Sequence, residues 1–468
     1  MLPPEVEYFK GCIEDHIALF FNEKAKAVTG DNYLRFLPYD DAVALKENIL
    51  AIPYDIPVPN KPGNPYKVSF NYTELTVWNK IPSPDKGDWT PLPDKSSPLW
   101  YRDSSGTLIP AWNLFGNLFH LLTFGEEINP TQRDAHGRFA AAFSPRLEQN
   151  LIEVPAFNEA VATIVAACDG LHENGRPNFH LNNLLKPPNL VLSHDCDILL
   201  GNDFWTQAVR GARIFLPLLK AKPPKLDNAW WLVRNAVTPK RFYFDNVNGM
   251  IDIERCFGYN STFYVLNGSG GRFGARYESD IIPELQKQIP PKWDIGMHYN
   301  YNTFLDAERF EAQVEQLKNI LNTDIIAGRA HYLKFDPEKS FPFLQKYGIR
   351  VDESSGYADR IGYRNGIAGC FRPYDPAQKR AHDIWEIPMI IMDAVLVRQY
   401  GDRYADKFSQ LLNHLKYVGG ALSVIFHPGQ FFNPEYKHML DVYHNLLMRS
   451  RDLGAVSETA KSLTEKNK

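Results

Sequence analysis

Residues 188–197 read PNLVLSHDCD, and this stretch decides the fold. Leu190, Val191 and Leu192 form an apolar, partly β-branched run after a Pro-Pro pair, which is the pattern of a buried strand. Alternation along that strand points Asp195 and Asp197 to the same side. Two carboxylates crowded at a strand end repel each other unless a metal, a proton or a basic partner joins them. Gly201, Asn202 and Asp203 follow. Then comes FWTQAVRGARIFLPLLK, a helical stretch with Asn202 or Asp203 as its N-cap. Strand, acidic turn and helix make up the layout of a βα active-site loop. A plain capping loop is the simpler alternative, but capping needs one Asx residue and not a D-x-D beside a histidine.

Working outward, strand candidates alternate with helical patterns from residue 186 onward. They are NLVLS (189–193), STFYVL (261–266), KWDIGMH (292–298), DIIAGR (324–329), IRVDESS (349–355), IWEIPM (384–389) and ALSVIFH (421–427). FEAQVEQLKNIL (310–321) and FPFLQKYG (341–348) are helical patterns between them. Strands interleaved with helices imply a mostly parallel sheet, so the fold class is α/β. About seven such units predict a (β/α) barrel more than an open sheet. A last helix is expected near 437–453, and 456–468 reads as a disordered polar tail.

Before residue 186 the pattern is mixed α+β. Residues 4–21 predict an amphipathic helix, KVSFNYTELTVW (67–78) a strand, and 112–122 another helix. Residues 51–65 and 81–98 are Pro-rich connections. The expected organisation is an N-terminal domain over 1–185, a barrel over 186–455 and the tail.

Composition bounds the function. The chain has 468 residues, 44% hydrophobic and 23% charged, so it is globular with ample core. A formal net charge of −4 argues against nucleic-acid binding, which needs a basic surface. Five scattered cysteines, an odd number without C-x-x-C, indicate neither a disulfide framework nor a thiolate zinc site. The first 21 residues lack the basic start and apolar core of a signal peptide, and no apolar run is long enough to span a membrane. A cytoplasmic setting is the expectation.

Chemistry-bearing residues collect at successive strand ends, where α/β enzymes place their sites. In order they are Asp195 and Asp197, His298 and Asn302, Arg329 and His331, Asp393, and His427. Each alone reads as structural. Acid, imidazole and guanidinium groups at strand end after strand end are hard to ascribe to packing.

The order of these motifs resembles the polysaccharide deacetylase family, the NodB-homology carbohydrate esterases. The matching segments are His194-Asp195-Cys196-Asp197, HYNYN (298–302), GRAHYLKF (328–335) and VIFHPGQF (424–431). The resemblance covers roughly residues 188–430 and implies a distorted (β/α) barrel. It also implies removal of an acyl group, an acetyl in the family, from an N-acetylated sugar with the help of a divalent metal, most often Zn, with Co or Ni as alternatives. The implied roles are Asp195 as general base, Asp197 and His298 as metal ligands, Arg329 as the group holding the base ionised, and His427 as general acid. Glu386 or Asp393 would brace that histidine. FGNLFHLLTFGEE and DAHGRFAAAFS (134–144), in the N-terminal segment, resemble the accessory domain ahead of some deacetylase-like domains.

One departure stands out. The family's second motif carries two histidines four apart, whereas here Asn302 follows His298 at that spacing. An amide oxygen is a weaker ligand than imidazole. Asn302 completes the site, or His331 supplies the missing nitrogen, or the site has lost its metal and the protein is a catalytically silent carbohydrate binder. Tyr299 and the loop GYADRIGYRNG (356–366), with Tyr357, Arg360 and Arg364, are the substrate-side candidates. NGSGGRFG (267–274) is Gly-rich but lacks the Lys-Ser/Thr ending of a phosphate loop, so it reads as a mobile loop.

Overall fold

A computed structural model describes residues 2–466 apart from 60, 86, 129–131, 182, 200–203, 225–228, 230–232, 234–243, 269–272, 276 and 432–438. The expected cap at Asn202 or Asp203 and the centre of the 267–274 loop lie outside the described residues. Among the described residues, no helix is long and apolar enough to cross a membrane.

The chain opens with a helix over Pro4–Phe20 and then builds a mixed sheet. Its strands are β1 (Leu34–Leu37), β2 (Leu50–Pro53), β5 (Thr90–Leu92), β6 (Trp100–Arg102) and β7 (Leu108–Pro110), in the order β1-β2-β7-β6-β5. Residues 67–78 are not one strand. They form a hairpin of β3 (Tyr66–Phe70) and β4 (Thr73–Val77), because Asn71 and Tyr72 both take positive φ, as a two-residue primed turn requires. The helix Ala156–Asn174 follows, buried over most of its length, and packs against the helix Tyr404–Val418.

The second sheet is centred on β8 (Asn189–Cys196). All eight of its residues are buried, as expected of a parallel strand covered on both faces. β9 (Thr262–Val265), β10 (Asp294–Tyr299), β11 (Ala327–Ala330) and β12 (Val351–Asp352) follow on one side, each parallel to the last. β13 (Tyr374–Asp375) and β14 (Arg380–Ala381) form a small separate hairpin. β15 (Trp385–Glu386) pairs with β12, while β16 (Ile391–Met392) pairs with β17 (Ala421–Ile425) on the other side of β8. β15 and β16 belong to one extended run, so the two ends of the sheet meet. Within that run Ile387 N–H donates to Asp352 O at 2.9 Å and Ile390 N–H to Ser423 O at 3.4 Å. The result is a curled parallel sheet, within the α/β class predicted.

The expected polar tail is a correction. β18 (Val456–Glu458) pairs with the lower half of β8, and a helix over Ala460–Glu465 follows. A capping box between Thr459 and Ser462 starts that helix, and Ala460 and Leu463 are fully buried under it. The apolar core also runs across residue 185 without interruption, from Val6 to Leu463.

His16 makes the core acid-sensitive. It is 1% exposed, both ring nitrogens lack a hydrogen-bond partner, and Phe20 and Phe157 pack on it at 4.7 and 5.4 Å. Burial lowers its pKa to about 3. Between pH 6.5 and 3 the unfolded chain takes up a proton that the folded chain refuses. This contribution is therefore complete above pH 6.5 and is lost as the pH falls. His16→Leu should remove about 2 kcal/mol of the stability loss between pH 7 and 5. Urea melts of both proteins at the two pH values measure it, and parallel losses would rule it out.

Candidate functional site

The strand ends of β8, β10, β11 and β17 bring their polar side chains together. Alternation along β8 separates His194 from Asp195. His194 faces away, with Nε2 2.7 Å from Glu254 and Nδ1 3.0 Å from Phe426 O, in a fully buried pair outside the site. Asp195 and Asp197 share the other side, as predicted. His298 Nε2 lies 3.2 Å from Asp197 Oδ1 and 3.7 Å from Asp195 Oδ2.

His331, just past β11, joins them with Nε2 3.5 Å from Asp197 Oδ1. The donor atoms of Asp197, His298 and His331 all lie within 4.8 Å of one another. Asn302 stands on the short turn Tyr301–Thr303 after β10. Tautomers sharpen the geometry. His298 Nδ1 faces Arg329 O at 3.0 Å, so Nδ1 carries a proton and Nε2 is the atom turned to Asp197. His331 Nδ1 is buried without a partner, and its Nε2 is the atom turned to the same carboxylate. Two imidazole nitrogens this close to one carboxylate oxygen call for a cation or a proton between them. One carboxylate and two imidazoles are a donor set for Zn.

Arg329 sits at the centre, fully buried. Nη1 donates to Asp195 Oδ1 at 2.6 Å, Nη2 to Ser193 Oγ at 2.6 Å and to Glu353, and Nε to Glu353 O at 3.1 Å. The guanidinium also lies 4.6 Å over the Tyr264 ring, and Tyr264 OH donates to Glu353 Oε1 at 2.9 Å. Burial alone would raise the Asp195 pKa, but Arg329, His298 and His427 outweigh it and hold the carboxyl below its usual range. Glu353 keeps a raised pKa, because burial exceeds the help from Arg329.

His427 follows β17. Its Nδ1 lies 3.1 and 3.2 Å from the two oxygens of Asp393, and its backbone N–H donates to the same carboxylate at 2.8 Å. Nε2 is 4.0 Å from Asp195 Oδ2. Burial works against the charged ring, but Asp393 prevails and raises its pKa to about 10. Asp393 thus favours the imidazolium form of the ring.

Several expected residues lie elsewhere. Glu386 does not brace His427. It is buried on β15, accepting from Ser355 N–H at 2.8 Å. Tyr299 is a core residue whose ring fills the space over Gly328, where a Cβ would come within 2.2 Å of it. Tyr357 and Arg364 are buried rather than facing substrate. Arg146 Nη2 donates to Tyr357 OH at 3.2 Å, and Arg364 pairs with Glu127 at 2.6 and 2.7 Å, both partners coming from the first 185 residues. The sequence offers these two as substrate-side candidates, and their burial depends on partners far away in the chain. Glu353, Ser193 and Tyr264 were missed. The acidic DESS ending of the 349–355 strand candidate was the one signal that could have pointed to Glu353.

Two consecutive residues after His331 are strained. Tyr332 and Leu333 have φ of 61° and 50°. Left-handed backbone costs a non-glycine residue roughly 1–3 kcal/mol and persists where the surroundings impose it.

A family model described as a family of unknown function (DUF7033) matches residues 67–171. No curated protein matches the chain. Solved structures to which the chain shows a likeness include a family 4 carbohydrate esterase from Streptomyces lividans in complex with acetate. It is 10% identical with a TM-score of 0.30, covering 58% of this chain and 91% of its own. Another is the polysaccharide deacetylase Bc1974 from Bacillus cereus, 11% identical with a TM-score of 0.28, covering 58% and 91%. A third is BA3943 from Bacillus anthracis, a pseudoenzyme of the same esterase family, 10% identical with a TM-score of 0.32, covering 65% and 82%. These likenesses add no argument to the geometry above.

Proposed function

We propose that the chain is a metal-dependent hydrolase that removes an acyl group from an N-acylated sugar, built on a distorted (β/α) barrel from residue 186 onward behind an N-terminal domain over 1–185. The observation that carries this reading is the convergence of Asp197, His298 and His331 on one point beside two prepared proton-transfer groups. A divalent ion held there, Zn above others, would polarise the acyl carbonyl and acidify water. Asp195, ionised by its pairing with Arg329, takes the proton of the attacking water. His427, kept protonated by Asp393, gives a proton to the leaving amine. A base that is ionised and an acid that is protonated at the same pH are the pair an amide cleavage needs.

Metal analysis of the purified protein tests the reading against that of a silent binder. Near-stoichiometric Zn, Co or Ni is expected. An empty site with sugar affinity intact would favour the binder. Asp195→Asn should keep the metal and lower kcat on an acetylated glucosamine oligomer by about 10²–10⁴-fold. Undiminished turnover by that variant would remove Asp195 from the role.

A further inference from the structure

The turn that carries His331 closes on itself through Lys334 N–H, which donates to His331 O at 3.3 Å, but it bends through unfavourable backbone. Tyr332 and Leu333 both occupy left-handed backbone, and neither is glycine. Such a turn needs an anchor from outside. On its inner side Ala330 N–H donates to Ser354 Oγ at 2.8 Å. On its outer side the anchor comes from almost two hundred residues upstream, where Arg138 Nη1 donates to Tyr332 O at 2.6 Å.

Arg138 is itself fixed. Residues 134–138 close a tight turn, with Asp134 N–H donating to Arg138 O at 3.0 Å and Gly137 N–H to Asp134 O at 2.9 Å. Asp134 Oδ1 accepts from the N–H groups of His136 and Arg138 at 2.8 and 2.9 Å, and its Oδ2 accepts from Arg138 Nε at 2.7 Å. The next ring along, His136, packs on Tyr332 at 5.1 Å, and its Nδ1 lies 3.2 Å from Tyr301 OH. The whole turn is therefore a rigid bracket pressed on the residue that follows His331. His331 in turn has its Nδ1 buried without a partner, so no hydrogen bond from that atom orients the ring.

We infer that the Asp134–Arg138 turn is a positioning element of the metal site, with Arg138 acting through the Tyr332 carbonyl to hold His331 in place. This rests on the metal reading above. It makes the N-terminal part of the chain a component of the site and not a detachable cover. Outer partners of a metal ligand commonly account for 10–100-fold in affinity.

The test uses the full chain and Zn²⁺ alone, titrated against a chelating dye, with far-UV circular dichroism as the folding control. Arg138→Met should weaken Zn²⁺ about 10-fold and change the visible absorption of the Co²⁺-loaded protein. Tyr8→Phe removes another contact between the two parts of the chain, the hydrogen bond from Tyr8 OH to Arg372 O, and should leave Zn²⁺ affinity unchanged. Glycine adopts positive φ without penalty. Tyr332→Gly in the Arg138→Met background should therefore restore most of the lost affinity, which a general loosening would not allow. If Arg138→Met does not fold, Arg138→Gln is read in the same way. Equal weakening by Tyr8→Phe, or no rescue by Tyr332→Gly, overturns the inference. Unchanged affinity in Arg138→Met while His331→Ala loses Zn²⁺ overturns it and leaves the metal reading standing. Unchanged affinity in His331→Ala defeats both.

Discussion

His331→Ala is expected to weaken Zn²⁺ binding by at least about 100-fold, more than the loss of an outer partner brings. On the proposed reading, in which His331 supplies the third donor, Asn302→Ala is expected to stay within about threefold of the parent. Asp197→Ala and His298→Ala should match His331→Ala, since each removes one of three protein donors. Asn302→His should add little, because the nitrogen expected at that spacing is already supplied from the next strand end. Isothermal titration with Zn²⁺ separates the cases. A large loss in Asn302→Ala with none in His331→Ala would move the site back to the spacing of the family motif. No loss in any of the four alanine variants would mean that this cluster holds no metal.

The second large effect is on folding. Arg329→Met leaves Asp195 and Glu353 as buried carboxylates without their cation, and Ser193 Oγ without its donor. Removing one member of such a buried network should cost about 3–5 kcal/mol of stability, measured by urea unfolding. Arg329→Lys should recover only part of it. One ammonium cannot make the separate bonds to Asp195, Ser193 and Glu353 or stack on Tyr264. Adding Glu353→Gln to Arg329→Met should restore some stability, because one of the two stranded charges is gone. A loss under about 1 kcal/mol in Arg329→Met would mean that water reaches the pair and that the network is not the dry one described. The same variant should also lose activity, since Asp195 would no longer be held ionised.

Much of the site was legible in the chain because strand periodicity is local. The run Leu190–Leu192 announced a doubly buried strand, and a period of two put Asp195 and Asp197 on one side while turning His194 to the other. The βα order placed His298, Arg329 and His427 at the ends of strands of one sheet, since parallel strands share a C-terminal edge. Asp393 was offered as a brace for His427 by the family resemblance alone, beside Glu386, and it is Asp393 that lies against the ring.

What the chain could not announce depends on which distant groups meet. His331 comes beside Asp197 next to a backbone bent into two consecutive left-handed residues, which no propensity predicts for Tyr-Leu. Tyr357 and Arg364 look like surface groups until Arg146 and Glu127 bury them from the other part of the chain. Residues 456–466 look like a tail until the lower half of β8 offers them an edge to pair with. In each case the deciding energy lies in contacts between residues far apart in sequence. Local pattern carries periodicity and caps, but the partner that satisfies a buried charge or holds a strained turn exists only once the sheet has curled and the two parts of the chain have closed on each other.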